Sequence, residues 1–207
     1  MQEKPRPYHG WWVVLCCFVI ALYGWGLGFY GLSLYLVALQ KGLGWSPAAI
    51  SGAITFYYVA GAFLVMHIGD LIQRRGGRIV VLTGSVVMGL GVSAVTLVRE
   101  PWQLYLAFAL MLPGWTAMGG AAINTLIAQW FDRRRGLAAS LALNGATCGG
   151  LLFAPALAWA IDTLGFAHAL YAAAIFTVVT LWPLAAFALR PRRAGEHDVG
   201  EDRKSTR

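Results

Sequence analysis

Gly69-Asp70-Leu71-Ile72-Gln73-Arg74-Arg75-Gly76-Gly77-Arg78 gathers four charged side chains and three glycines between two apolar runs, residues 48–68 and 79–98. Each run has about the 20 residues that a helix needs to cross a hydrocarbon core of ~30 Å. The apolar positions are continuous rather than alternating with period two, which favours helices over the strands of a membrane barrel. In lipid the backbone must satisfy its own hydrogen bonds, and a helix does so within each segment. This stretch therefore reads as a polar loop, 69–78, joining two membrane-spanning helices.

The same pattern extends in both directions. A first apolar run covers 11–39, followed by a turn at Gly42-Leu43-Gly44-Trp45-Ser46-Pro47. There Ser46 is a natural N-cap and Pro47 suits the first helical position. Arg99-Glu100-Pro101 ends the third span, the fourth covers 102–131, and Asp132-Arg133-Arg134-Arg135-Gly136 closes it. A fifth run, 137–164, and a sixth, 168–189, meet at a short Gly165-Phe166 turn. The expected organisation is a cytoplasmic start (1–10), a six-helix transmembrane domain (11–189) and a disordered, charged cytoplasmic tail (190–207). The apolar run behind Lys4 and Arg6 is too long for a cleaved signal peptide, so it reads as a retained first span.

Composition agrees. Only 12% of the 207 residues are charged, against about 25% in a soluble domain, while 58% are hydrophobic and mean hydropathy is +0.63. The net charge of +7 does not indicate a nucleic-acid partner, because the basic residues form short clusters between apolar runs. Of the sixteen Lys and Arg residues, fourteen fall on the side of both termini and two, Lys41 and Arg99, on the other. By the positive-inside rule the richer side, with both termini, is cytoplasmic, as in a plasma (bacterial inner) membrane protein. Trp11, Trp12, Trp45, Trp102, Trp130 and Trp182 lie near span ends, where indoles favour the headgroup region. Cys16, Cys17 and Cys148 lie inside apolar runs and read as unpaired thiols rather than a disulfide framework.

Glycines recur on single helix faces: Gly24, Gly28 and Gly31 in the first span, Gly84 and Gly91 in the third, Gly145 and Gly149 in the fifth. Such spacing permits close helix approach. Tyr23-Gly24-Trp25-Gly26-Leu27-Gly28 is echoed by Pro113-Gly114-Trp115-Thr116-Ala117-Met118-Gly119 in the fourth span. Three spans per repeat would invert the second triplet relative to the first. The expected fold class is an all-α membrane protein, a six-helix bundle of two inverted three-helix repeats, half of a twelve-helix transporter.

The 69–78 loop resembles the signature loop of the major facilitator superfamily, Gly-x-Leu-x-Asp-Arg-x-Gly-x-Arg. Gly69, Leu71, Arg74, Gly76 and Arg78 match, and Gln73 replaces the family's Asp. Trp130-Phe131-Asp132-Arg133-Arg134-Arg135-Gly136 is similar to that superfamily's loop between helices four and five. The opening Gly10-Trp11-Trp12-Val13-Val14 is similar to the start of its monocarboxylate and oxalate/formate transporters. The resemblance implies a gating role for Gly69, Asp70, Leu71, Gln73, Arg74, Gly76 and Arg78, with Arg133, Arg134, Arg135 and Gly136 in the second cytoplasmic loop. Asp70, one turn before Arg74, is placed to pair with it and partly stand in for the missing acid.

The resemblance also implies a solute path near mid-membrane, lined by the first, second, fourth and fifth spans. No ionisable residue lies at mid-depth: His67 and Asp70 fall near the cytoplasmic end, Asp162 near the outer end. Leu27-Gly28-Phe29-Tyr30 carries no counterpart of the lysine in the first helix of monocarboxylate transporters. The candidates for the path are neutral: Trp25, Tyr30, Tyr57, Tyr58, Trp115, Asn124 and Asn144. Asn144 shares a face with Ser140, Thr147 and Leu151. The implied solute is a small organic molecule, an organic anion such as a carboxylate, moved by alternating access.

An enzyme is not indicated. Ala49-Ile50-Ser51-Gly52 lacks the first glycine of an intramembrane serine protease nucleophile, and His168 has no suitable partner beside it. No metal-ligand cluster is present and no cofactor is implied. The expected partners are the solute, the bilayer and a second six-helix half or a second copy. The alternative is a truncated or non-transporting membrane subunit.

Overall fold

The computed structural model describes residues 9–190. Most of the expected cytoplasmic start and all but the first residue of the expected tail lie outside the described residues. Six helices are long and apolar enough to cross a membrane: α1 (Gly10–Leu43), α2 (Pro47–Arg75), α3 (Gly77–Val95), α4 (Pro101–Ala128), α5 (Arg135–Leu164) and α6 (Phe166–Ala188).

The helix ends follow local chemistry. Ser46 Oγ accepts from the Ala49 amide at 3.3 Å, with Pro47 in the first helical position, as the sequence suggests. At the start of α4, Gln103 Oε1 reaches back to accept from the amides of Arg99 (2.7 Å) and Glu100 (3.2 Å). Gly76 (φ +84°) alone separates α2 from α3, and Gly165 (φ +85°) alone separates α5 from α6. Those positive values suit glycine, which has no Cβ to clash.

Two expectations change here. The 69–78 stretch is not a loop: α2 continues through Arg75. Asp70 to Arg75 contains neither glycine nor proline, and Arg74 and Arg75 complement the carboxyl end of the helix dipole. Trp130 is not an exposed headgroup anchor. It is 3% exposed, beside His9 (ring centroids 5.2 Å apart) and beneath the Arg190 guanidinium (5.8 Å).

Packing is organised by small residues. Along α1 and α5, Gly145 lies under the Phe18 carbonyl, and a Cβ at Gly149 would stand 2.6 Å from the Leu22 carbonyl. Along α3 and α4 the arrangement is reciprocal. A Cβ at Gly91 would meet the Met111 backbone at 2.6 Å, and one at Gly114 would meet that of Met88 at 2.6 Å. Close backbone approach of this kind replaces the hydrophobic drive that lipid cannot supply. α1 packs along α5 and α4 along α2, the exchange required by a two-fold relation between spans one to three and four to six. α6 is tied on by polar contacts: Thr180 with Tyr23 (2.9 Å), Tyr171 with Thr96 (2.7 Å), and His9 Nε2 with the Ala188 carbonyl (3.0 Å).

Burial is uneven. In the most apolar window of α1 and of α4, 61% of residues are buried, but only 22% in α2 and in α5. α1 and α4 form the centre of the bundle, and α2 and α5 flank it with largely uncovered faces.

Candidate functional site

Three of the helices are irregular near their middle. Residues Gly26–Tyr30 of α1 and Gly149–Phe153 of α5 form π-helical turns, each with one residue more per turn than an α-helix. α4 breaks at Gly119 (φ −80°, ψ 175°) and restarts at Gly120. Wide turns and breaks free backbone groups that need other partners, and they concentrate at functional positions. At the α1 turn the partner is local: the Tyr35 hydroxyl donates to the Leu27 carbonyl at 3.1 Å, fully buried.

The two π turns fit into each other. Gly26 faces the Phe153 ring, and a Cβ at Gly150 would come within 2.6 Å of the Tyr30 ring. A glycine on each helix thus accepts an aromatic ring from the other. Tyr23, one turn earlier on α1, meets Phe153 edge-on at 5.5 Å.

From this junction a connected set of rings crosses α1, α2 and α4. Trp25 contacts Trp115 (centroids 5.3 Å), and Trp115 contacts Tyr57 (6.2 Å). Tyr57 contacts Tyr58 (5.5 Å), Tyr58 contacts Phe29 (6.1 Å), and Phe29 contacts Tyr30 (5.1 Å). Gly28 leaves the room for it, since a Cβ there would stand 2.6 Å from the Trp115 ring and 3.0 Å from the Tyr57 hydroxyl. That hydroxyl is buried with no hydrogen-bond partner among the described residues. Tyr58 and Phe29 are exposed on the uncovered side. The geometry makes an apolar wall with phenol tips, suited to a small solute with one polar end.

Five of the seven path candidates, Trp25, Tyr30, Tyr57, Tyr58 and Trp115, are brought together. Asn124 and Asn144 do not join the ring set. Asn124 is half-buried in α4 beyond the break, and Asn144 is exposed in α5. Asn144 does lie on an exposed face with Ser140, Thr147 and Leu151. Phe29 and the two π turns are additions from the structure. The dense glycines around them were the available signal, but they read equally as helix packing.

The gating candidates separate. Asp70, Leu71 and Arg74 line a cavity of about 390 Å³ between α2, α3 and α4, shared with His67, Thr83 and Pro113. The expected Asp70–Arg74 pair is not formed among the described residues: both side chains are exposed, where water competes with a surface ion pair. Gln73, Gly76 and Arg78 line a second crevice, of about 620 Å³. Gly69 lies inside α2. Arg133, Arg134, Arg135 and Gly136 are all exposed, with Arg135 opening α5. Cys16, Cys17 and Cys148 are free thiols. No group of three or more metal-ligating side chains occurs among the described residues.

Comparison with known proteins gives a consistent answer. The family model of the Major Facilitator Superfamily matches residues 14–206. Monocarboxylate transporter 11 of Mus musculus is 33% identical over 175 residues, covering 82% of this chain and 39% of the mouse protein. The MFS-type transporter pynF of Aspergillus niger is 27% identical over 200 residues, covering 95% of this chain and 46% of the fungal protein. A human monocarboxylate transporter 11 is 40% identical over 101 residues, 48% of this chain and 21% of its own length. The chain thus spans less than half the length of these relatives.

Proposed function

This chain belongs to the major facilitator superfamily, and from that premise we propose that it moves a small organic anion across the membrane by alternating access, as one half of a two-half path. The observation that carries the reading is the ring set where α1, α2 and α4 converge beside two π turns and a helix break. Irregular backbone at membrane depth is tolerated where it lines a cavity or is buried in protein. The nine-residue segment Gly120–Ala128 presents its amide end near mid-span, and that end carries partial positive charge. The relatives named as monocarboxylate transporters support the anionic class.

On this reading the arginine-rich end is cytoplasmic, with both termini inside a plasma (bacterial inner) membrane. The stretch from Gly69 to Arg78 and Arg133 to Gly136 then form the cytoplasmic gate. A second half, or a second copy of this chain, covers α2 and α5, whose faces are otherwise the least buried in the bundle. That same exposure favours a second reading, a membrane subunit with no transport of its own.

Proteoliposomes separate the two. The chain alone, and two copies fused in tandem, are reconstituted and offered labelled short-chain monocarboxylates. Saturable uptake by either form, lowered by Trp115→Ala, is the expected result. Folded protein that shows no saturable uptake in either form overturns the transport reading and leaves the subunit reading.

A further inference from the structure

The crevice of about 620 Å³ at the arginine-rich end is bounded by the α2–α3 junction, the end of α4 and the end of α6. Arg75, Arg78 and Arg190 line it, and no carboxylate does so among the described residues. Arg190 is already placed over Trp130. Arg75 and Arg78 are exposed and make no ion pair or hydrogen bond with any described residue. Arg75 and Arg78, three positions apart on the same crevice with no described carboxylate in its lining, offer an anion two guanidinium groups.

Beside the arginines and two glutamines, Gln73 and Gln129, the crevice lining carries apolar side chains. Ile72, Leu126 and Leu189 are buried in its wall, and Ile79, in the first turn of α3, is 54% exposed. Arginines beside apolar side chains, one of them the exposed Ile79, match an amphiphile rather than a soluble ion. We propose that this crevice holds an anionic phospholipid, with its phosphate on Arg75 and Arg78 and an acyl chain along Ile79. Arginine grips phosphate through two parallel N–H donors. Basic pockets between spans on the cytoplasmic side are where anionic headgroups bind, a placement that rests on the orientation proposed above.

The test uses the full chain in detergent, so its outcome does not depend on orientation or on transport. Native mass spectrometry follows retention of added phosphatidylglycerol, with phosphatidylcholine and inorganic phosphate as the comparison arms. The wild-type chain is expected to retain phosphatidylglycerol over phosphatidylcholine, without displacement by inorganic phosphate. R75Q/R78Q is expected to lower retention by at least about tenfold, the scale of removing two basic side chains at a charged surface. R134Q/R135Q removes the same charge outside the crevice and is expected to leave retention unchanged. Equal retention of the two lipids, or equal loss in both double variants, overturns the proposal. So does displacement by phosphate, which would assign the site to a soluble anion.

Discussion

Trp25 and Trp115 meet edge to face, with ring centroids 5.3 Å apart and planes at 61°. Each is the tryptophan of a Gly-Trp step, one in α1 and one in α4, so the two halves of the internal repeat touch through equivalent residues. Aromatic pairs of this geometry contribute about 0.5–1.5 kcal/mol beyond their area burial. A double-mutant cycle of Trp25→Ala and Trp115→Ala, read by unfolding in detergent, should therefore show a coupling of about 1 kcal/mol. Strict additivity would mean that the contact contributes nothing.

Tyr35 and Tyr57 make an internally controlled comparison. The Tyr35 hydroxyl holds the Leu27 carbonyl of the α1 π turn, whereas the Tyr57 hydroxyl is buried without a partner. Tyr35→Phe should cost about 1 kcal/mol of stability. Tyr57→Phe should cost nothing or stabilise slightly, yet weaken solute binding if the path runs along the ring set. Thermal unfolding and the KM of uptake read the two effects separately. Equal loss of stability in both variants would remove the distinction, and an unchanged KM in Tyr57→Phe would remove Tyr57 from the path.

Much of this architecture is legible in the sequence because hydropathy reports where a chain lies in lipid. The six spans follow from that pattern, the Ser46-Pro47 start from capping chemistry, and the Trp25–Trp115 echo from the repeated Gly-Trp step. Hydropathy does not report where a helix ends. α2 continues through Asp70, Gln73, Arg74 and Arg75 because a helix leaving the bilayer meets water, where charged residues no longer oppose it. The π turns were not legible for a different reason. One added residue per turn leaves composition unchanged, and Tyr35, which caps the freed carbonyl, lies eight positions beyond Leu27. Asn124 and Asn144 illustrate the converse: polar type alone marks a residue as interesting but does not aim it.

The α1–α5 seam should be the most sensitive packing contact. Gly145 lies against the Phe18 carbonyl, while nothing stands within 4 Å of a Cβ added at Gly42. Gly145→Ala should destabilise by about 1–3 kcal/mol through overpacking against backbone that cannot move aside. Gly42→Ala should be near neutral. Thermal melts in one detergent compare them directly, and equal melting temperatures would contradict the close approach.

Gln73 is the position where this chain departs from the family loop, and it shares the basic crevice with Arg75 and Arg78. A carboxylate there adds a negative charge to a crevice lined by two exposed guanidinium groups. On the gating role proposed above, it restores the acid that the family resemblance assigns to locking the cytoplasmic ends. Gln73→Asp in the tandem fusion should therefore hold that end closed for longer. The reporter is Leu71→Cys, on the exposed side of α2, in a Cys148→Ser background because Cys16 and Cys17 are already buried. Maleimide labelling should slow by about twofold or more, a change of at least ~0.4 kcal/mol in the gate equilibrium, within the range of a surface ion pair. Raising the salt concentration should reverse the effect, since exposed charges are screened. Labelling that is unchanged by Gln73→Asp at low salt would show that the α2–α3 junction anchors the bundle without gating it.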